Sequence, residues 1–422
     1  MTGIALADRV GAANREAHKR ILAGEPVLME VKPAGEVIPE LRDRLVLHAG
    51  PPLAWEQMCG PMRGAMCGAI VLEGWADSLQ SAERLASVGE IKLAPNHHFD
   101  AVGPMTGITS ASMPVFVVEN RAFGNRAFCT VNEGMGNVMR FGGNDGQVIE
   151  RLQWMAAVAG PALGAALGRL DGIALKTIVA RALSMGDEMH MRNVAGSSLM
   201  LRELAPALAE ATGSRTDLAR ILRFIAGNDM FFLNIAMVMA KAMIQPAHGI
   251  ENCTVVTTMA RNGTDFGIRL SGTGDEWFTA PAAAVKGLLF SGFSDADANL
   301  DIGDSCIVET VGLGGFAMAA SPAVAGFIGA GTLSDAIDYT RQMGEITVGP
   351  NPEWTIPTIG MAGVPTAIDV RKVLRTGIVP VINTAIAHRE AGRGQIGAGL
   401  VHAPAAAFEQ ALMRFAELSG AL

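Results

Sequence analysis

Between residues 147 and 247 apolar positions recur with a helical period, while β-branched runs are scarce. That block constrains the fold most, because amphipathic helices must bury their apolar faces against one another or against a sheet. Segments 148–159, 173–183, 193–211, 217–226 and 229–244 each read as helix. Asn228 suits the N-cap of the last, and Ser214 or Thr216 that of the one before. On either side the pattern changes. Residues 1–147 mix short β-like runs (27–31, 69–72 and 114–119) with Gly/Pro turns and one amphipathic helix at 13–23. Strands return at 254–259, 266–270, 307–310 and 378–387, and a helix at 405–418 follows Pro404. The expected class is α/β, of the α+β type. An N-terminal α/β domain (1–147) and a C-terminal one (248–422), both irregular, flank a mainly helical domain (148–247).

The 422-residue chain is 50% hydrophobic and only 18% charged. It is more apolar than an average soluble domain, which suits a large core, partner surfaces and homo-oligomerisation. A net charge of −8 without a basic run excludes nucleic-acid binding, which rests on neutralising phosphates. A small anion held by local arginines stays open. The five cysteines (Cys59, Cys67, Cys129, Cys253, Cys306) form no CxxC, so free thiols in a reducing compartment are expected, and no structural zinc. "MTGIALADRVGAANREAHKR" lacks an apolar signal core, and the protein is expected to be cytoplasmic. Residues 310–334 carry no charge, but Ser321-Pro322 and six glycines break that stretch as a membrane helix.

Three motif matches dissolve on inspection. "GRGQIGAG" (392–399) contains GxGxxG, but no helix opens within it, so a backbone nest for a small anion fits better than a dinucleotide loop. "DADANLDIGDSC" (295–306) spaces its acids like a calcium loop, yet has Leu300 and Cys306 where Gly and Glu belong. "GSRTD" (213–217) reads as a helix cap.

Three denser clusters remain. "APNHHFDAVGPMTGITSASMPVFVVEN" (94–120) holds Asn96, His97, His98, Asp100 and Asn120. "TVNEGMGNVMRFGGND" (130–145) holds Asn132, Glu133 and Arg140. "MGDEMHMRN" (185–193) holds Asp187, Glu188, His190, Arg192 and Asn193. In each, polar residues sit beside small flexible ones, where scaffolds present chemistry. If 187–193 is helical, Asp187 faces His190 and can hold its imidazole, while Glu188 pairs with Arg192. Arg192 and Asn193 could clamp a carboxylate or phosphate. A solvated salt pair with a helix cap is the bland alternative. A metal hydrolase on His97, His98 and Asp100 is another.

The three clusters also carry a resemblance. With "HAGPPLAWEQMCGPMRGAMCGAIVLEGWA" (48–76), "GNDMFFLN", "DIGDSCIVETVGLGGFAMA" and "VINTAIAH", they are similar, in order, to the YlbE-like or AllG family. That likeness covers nearly the whole chain and implies a helical domain beside two unusual α/β domains. It implies one subunit of a bacterial oxamate carbamoyltransferase in allantoin and purine degradation, working with FdrA-like and YlbF-like subunits. The enzyme interconverts oxalurate plus phosphate with oxamate plus carbamoyl phosphate. One departure is Met191, where the family often has Asn.

Carbamoyl transfer needs an anion site, donors for a tetrahedral oxyanion, and an acid–base group. The expected catalytic residues are His98, His190, Asp187 and Glu133. The expected substrate-binding residues are His97, Asn120, Asn132, Arg140, Glu188, Arg192, Asn193, Asn383 and His388. No cofactor and no metal are expected. The rival reading is a non-catalytic assembly subunit whose apolar balance serves interfaces.

Overall fold

The computed structural model describes residues 3–329 and 331–420. It is a mixed α/β fold. The first sheet has five strands in the order Ala101–Val102, Asn125–Thr130, Pro114–Asn120, Pro26–Pro33, Ile173–Ala174. All neighbours are antiparallel except the short Ala101–Val102 pair with Phe128 and Cys129. Pro114–Asn120 is buried on both faces apart from Glu119, so it reads as a continuous apolar run rather than an alternating one.

One covering element is the helix Phe231–Ile244, every residue of which is buried. Phe231 meets Phe116 edge-on, with centroids 5.7 Å apart, a contact worth about 0.5–1.5 kcal/mol beyond burial. The remaining helices of the block are Gly146–Trp154, Gly160–Leu167, Leu175–Ser184, Val194–Ala211 and Arg215–Ala226. A π-turn at Met155–Ala159 precedes Pro161, whose missing N–H breaks the regular ladder. Ser214 caps its helix by accepting from the Asp217 N–H, whereas Asn228 lies one turn ahead of its helix and accepts from the Met230 N–H.

The C-terminal part holds a four-stranded sheet ordered Phe278–Pro281, Asp265–Leu270, Val256–Asn262, Ile302–Gly303. A three-stranded sheet pairs Lys286–Leu289, Gln395–His402 and Val381–Ala387. The terminal helix is Ala405–Leu418, as its period indicates. One hydrophobic cluster runs from Ala17 to Ala387, and a second gathers residues of 256–278 with Val401, Phe408 and Phe415 of the C-terminal strand and helix.

Two expected strands are helical. Residues 69–72 end the helix Gly60–Leu72, and 307–310 form the short helix Ile307–Thr310. Short apolar runs do not distinguish the two states; the first is decided by packing. A Cβ on Gly64 would lie 2.6 Å from the Gly142 carbonyl, so this face of the helix lies directly on backbone. The uncharged stretch folds into a 3₁₀ segment, Gly314–Ala320, and the helix Pro322–Phe327. Among the described residues no single helix is long and apolar enough to cross a membrane. "GRGQIGAG" runs through a turn directly into the strand Gln395–His402, which rules out the dinucleotide loop.

Candidate functional site

Asn96–Phe99 is a single 3₁₀ turn after the strand Lys92–Pro95, closed by Asp100 in the left-handed region (φ 54°). The tight turn separates the two imidazoles. His97 is buried, with both ring nitrogens lacking a hydrogen bond and Nε2 3.6 Å from Asp304 Oδ1. His98 is exposed, and its Nε2 accepts from the Trp277 indole N–H at 3.0 Å. Asp100 accepts from Gln245 and lies 3.9 Å from Lys241 Nζ.

These residues line a cleft of about 400 Å³, together with His248, Thr257, Thr258, Arg269 and Asp275. Two of its cations are buried: Lys241 and Arg269 are each 5% exposed. Burial pushes the Lys241 ammonium down to about 8, with Asp100 opposing. Burial also lowers the Arg269 guanidinium, which sits over Trp277 and pairs with the solvated Asp275, leaving its Nε unpartnered. Burial, reinforced by Arg269 and Lys241, pushes His248 down to about 4. The same causes lower His97 and His98. Near neutral pH the histidines are uncharged, and the fixed positive charge is that of the two buried cations.

Asp304 stands behind His97 and does not itself line the cleft. It accepts from the Gly50 N–H (2.8 Å), the Gly103 N–H (3.0 Å) and Asn96 Nδ2 (3.0 Å), and burial pushes its carboxyl up to about 7. Its neighbour Ser305 lines a second, much smaller void of about 10 Å³, with Met105, Met135, Arg140, His190, Met191 and Met230. A further void of about 20 Å³ shares Arg140 and includes Glu133. The second and third clusters therefore meet at Arg140 and His190, whereas the first lines the open cleft.

"MGDEMHMRN" is not helical. It is the loop between Leu175–Ser184 and Val194–Ala211, with Gly186 at φ 100° and Met189 at φ 71°. The helical spacing therefore does not apply, and Asp187 does not hold His190. Glu309 does: its Oε1 is 2.8 Å from His190 Nδ1 and also accepts from the Gly315 N–H. Asp187 accepts from the Gly196 N–H and from Arg192 Nε (3.3 Å), tying down the start of the following helix. Glu188 does not pair with the Arg192 side chain; its carboxylate accepts from the backbone N–H groups of His190, Met191 and Arg192. Burial pushes Glu188 up to about 7, opposed by His190. Arg192, with its side chain 35% exposed, lines neither cavity, while Met191 does. Asn193 donates to the His190 carbonyl and so shapes the loop.

Several other expected site residues have structural partners. Asn120 accepts from the Glu25 N–H and donates to the Ala242 carbonyl, away from both cavities. Asn132 forms an amide network with Asn228 and Asn234. Glu133 accepts from the N–H groups of Met139 and Arg140, and burial raises its pKa. Asn383 donates to Met318 Sδ, and His388 Nδ1 accepts from the Glu390 N–H within a turn. His97, His98 and Asp100 each face a different partner rather than a common point, which disfavours the metal-hydrolase reading.

Sequence reasoning missed Lys241, Arg269, Asp304 and Glu309. A signal existed for the first: Lys241 is the one charge in "FFLNIAMVMAKAMI", whose other residues are apolar apart from Asn234. Arg269 likewise interrupts a buried strand.

Comparison with known proteins bears on this geometry. A profile described as oxamate carbamoyltransferase subunit AllG matches residues 91–305. The curated AllG subunit of Escherichia coli K12 is 48% identical over 413 residues, covering 97% of this chain and 99% of that protein. The chain belongs to the AllG family. Escherichia coli YahG, described as uncharacterised, is 49% identical over 415 residues, covering 98% of this chain and 88% of that protein. A crystal structure of a conserved Enterococcus faecalis V583 protein of unknown function superposes with a TM-score of 0.96. It is 47% identical and covers 98% of this chain and 99% of that one. The residues matched by the AllG profile include His97, Arg140, His190, Lys241, Arg269 and Asp304.

Proposed function

We propose that the chain is the anion-handling subunit of an oxamate carbamoyltransferase-type enzyme in the cytoplasm. The reaction is oxalurate plus phosphate to and from oxamate plus carbamoyl phosphate, serving allantoin and purine nitrogen breakdown. FdrA-like and YlbF-like subunits complete the assembly. The observation that carries this reading is the open cleft with two buried cations whose acidic partners are solvated. Asp275 is 87% exposed and Asp100 49%. An entering phosphate or carbamoyl phosphate can take over Lys241 and Arg269 at little cost to those carboxylates, which water already hydrates.

Division of labour follows from the chemistry. Arg269 remains charged and suits the phosphoryl oxygens. Lys241 titrates near working pH and can give or take a proton as the carbamoyl C–O or C–N bond breaks. The Trp277 indole fixes His98 with Nε2 as acceptor, so Nδ1 carries its proton.

The test is reconstitution with the two partner subunits, reading carbamoyl phosphate formation from oxalurate and phosphate through carbamate kinase. Lys241→Met and Arg269→Gln are expected to lower kcat/KM by about 100-fold or more, the usual loss for an electrostatic transition-state contact. Full activity in both variants would leave this chain an assembly subunit. That second reading is favoured by one stretch of surface, where Leu288, Phe290, Phe293 and Leu300 stand exposed beside the edge strand Lys286–Leu289.

A further inference from the structure

The small void beside Arg140 and His190 has features that the larger cleft does not explain. Arg140 is 6% exposed, yet its acceptors are neutral. Nε and Nη2 donate to the Gly134 carbonyl at 3.0 and 2.8 Å, and Nη2 contacts Met135 Sδ at 3.2 Å. Its Nη1 has no partner among the described residues, and no ion pair is formed. The nearby Glu133 is occupied by two backbone N–H groups. Burial pushes the Arg140 guanidinium down to about 10, opposed by the charge of Glu133, which stands off without an ion-pair contact; a buried guanidinium with no direct carboxylate partner is costly.

Facing the same void, His190 is 2% exposed and held through Nδ1 by Glu309. In the tautomer whose Nδ1–H donates to that carboxylate, Nε2 is an acceptor, and it has no partner among the described residues. One wall thus offers a guanidinium and the other an imidazole nitrogen without a partner.

We propose that this void is the closed form of a second binding site, taking a small carboxylate with an N–H or O–H donor beside its carboxyl group. The carboxylate would take Arg140, and the neighbouring donor His190 Nε2. The void as it stands has room for one water, so binding requires opening. The wall able to move is the 134–137 loop. Met135 is 46% exposed and lies between Gly134 (φ 99°) and Gly136 (φ 87°), so the loop carries a flexible thioether between two permissive hinges. The loop's hold on Arg140 is the Gly134 carbonyl and the Met135 sulfur, the two neutral acceptors that a carboxylate would outcompete. Ligand entry and loop release are then one event. This rests on Arg140 and His190 and not on the carbamoyl reading of the open cleft.

The experiment uses the full chain with Lys241→Met and Arg269→Gln, which disables the open cleft. Oxamate and glycolate are titrated by calorimetry, with acetate as the probe lacking the second donor. Amide hydrogen exchange is read on peptides covering 134–137. The expected result is a single remaining site that prefers oxamate over acetate by about tenfold, the worth of one hydrogen bond to a buried acceptor. Exchange at 134–137 should rise on binding. Adding Arg140→Gln should abolish binding. Should that variant fold poorly, His190→Gln, judged by an unchanged melting curve, should erase the preference over acetate. No binding in the cleft-disabled protein overturns the proposal, as does binding that Arg140→Gln and His190→Gln leave intact. Exchange that is unchanged at 134–137 overturns the loop assignment with it.

Discussion

Replacing Asp304 by Asn tests the electrostatics of the buried carboxyl behind His97. Its Oδ1 accepts from the Gly50 N–H, and its Oδ2 from the Gly103 N–H and from Asn96. The nearest ionisable group is His97, kept uncharged by burial. Burial pushes Asp304 from the ordinary 3.8 up to about 7. Between those values the folded protein keeps a proton that the unfolded chain has released. Its contribution to stability is therefore greatest at low pH and is lost as pH rises through about 7. From pH 5.5 to about 7, at roughly 1.4 kcal/mol per unit, the loss is about 2 kcal/mol. Asn carries no such dependence. Its amide, best placed on the Oδ1 side, leaves the Gly50 N–H unpaired at a cost of about 1–3 kcal/mol at every pH. Asp304→Asn should therefore be less stable than the wild type by about 1–3 kcal/mol at pH 5.5. At pH 8 the gap should shrink by about 2 kcal/mol. Urea unfolding of both proteins at both pH values reads this directly, with m compared to check that the same transition is followed. Glu188, also raised to about 7, titrates in both proteins and cancels in the difference. A gap of equal size at the two pH values refutes the reasoning, since it would mean that three hydrogen-bond donors keep Asp304 ionised throughout.

Gly314→Ala should destabilise by about 2–4 kcal/mol. The backbone there is left-handed (φ 59°), and a Cβ would lie 2.1 Å from Glu309 Oε1; an unchanged melting temperature would contradict the packing around the His190–Glu309 pair. Arg261→Met should cost about 3–5 kcal/mol by urea midpoint. It strips Asp301 of a bidentate partner at 2.7 and 2.9 Å and leaves a buried carboxylate unpaired; a loss below about 1 kcal/mol, a surface-pair value, would contradict it.

What the sequence made legible is what depends on local period. The helix Ala405–Leu418 and the Ser214 cap follow from spacing and cap chemistry alone. The short runs at 69–72 and 307–310 were not legible, because length and period leave both states open and tertiary packing decides. At the candidate site, the composition of "MGDEMHMRN" singled out a loop rich in buried polar groups but paired its histidine with the wrong acid. His190 is held by Glu309, 119 positions away, and no local spacing encodes that. The acid at 301 imitates a calcium ligand, and its neighbour at 304 reads as a surface charge, only until their partners are known. Asp301 takes Arg261, and Asp304 takes N–H groups from Gly50 and Gly103, each contributed by distant chain.

The buried charges, taken together, say where a ligand is wanted. Asp187, Glu188, Asp304, Glu309 and Asp369 each accept at least one backbone N–H, so the fold itself stabilises its buried acids. Backbone carbonyls could do the same for cations, but only Arg261 is treated so fully, with Asp301, the Gly303 carbonyl and Thr384 around it. Among the described residues the other buried Lys and Arg side chains are Arg140, Lys241 and Arg269, and none has a buried carboxylate in ion-pair contact. Each of these three lines a cavity, and none of the five acids above lines either one. A chain of net charge −8 has acids to spare for neutralising three cations. That it places them elsewhere, and leaves the cations facing open or openable space, is what anion recognition requires of a protein with so few charges.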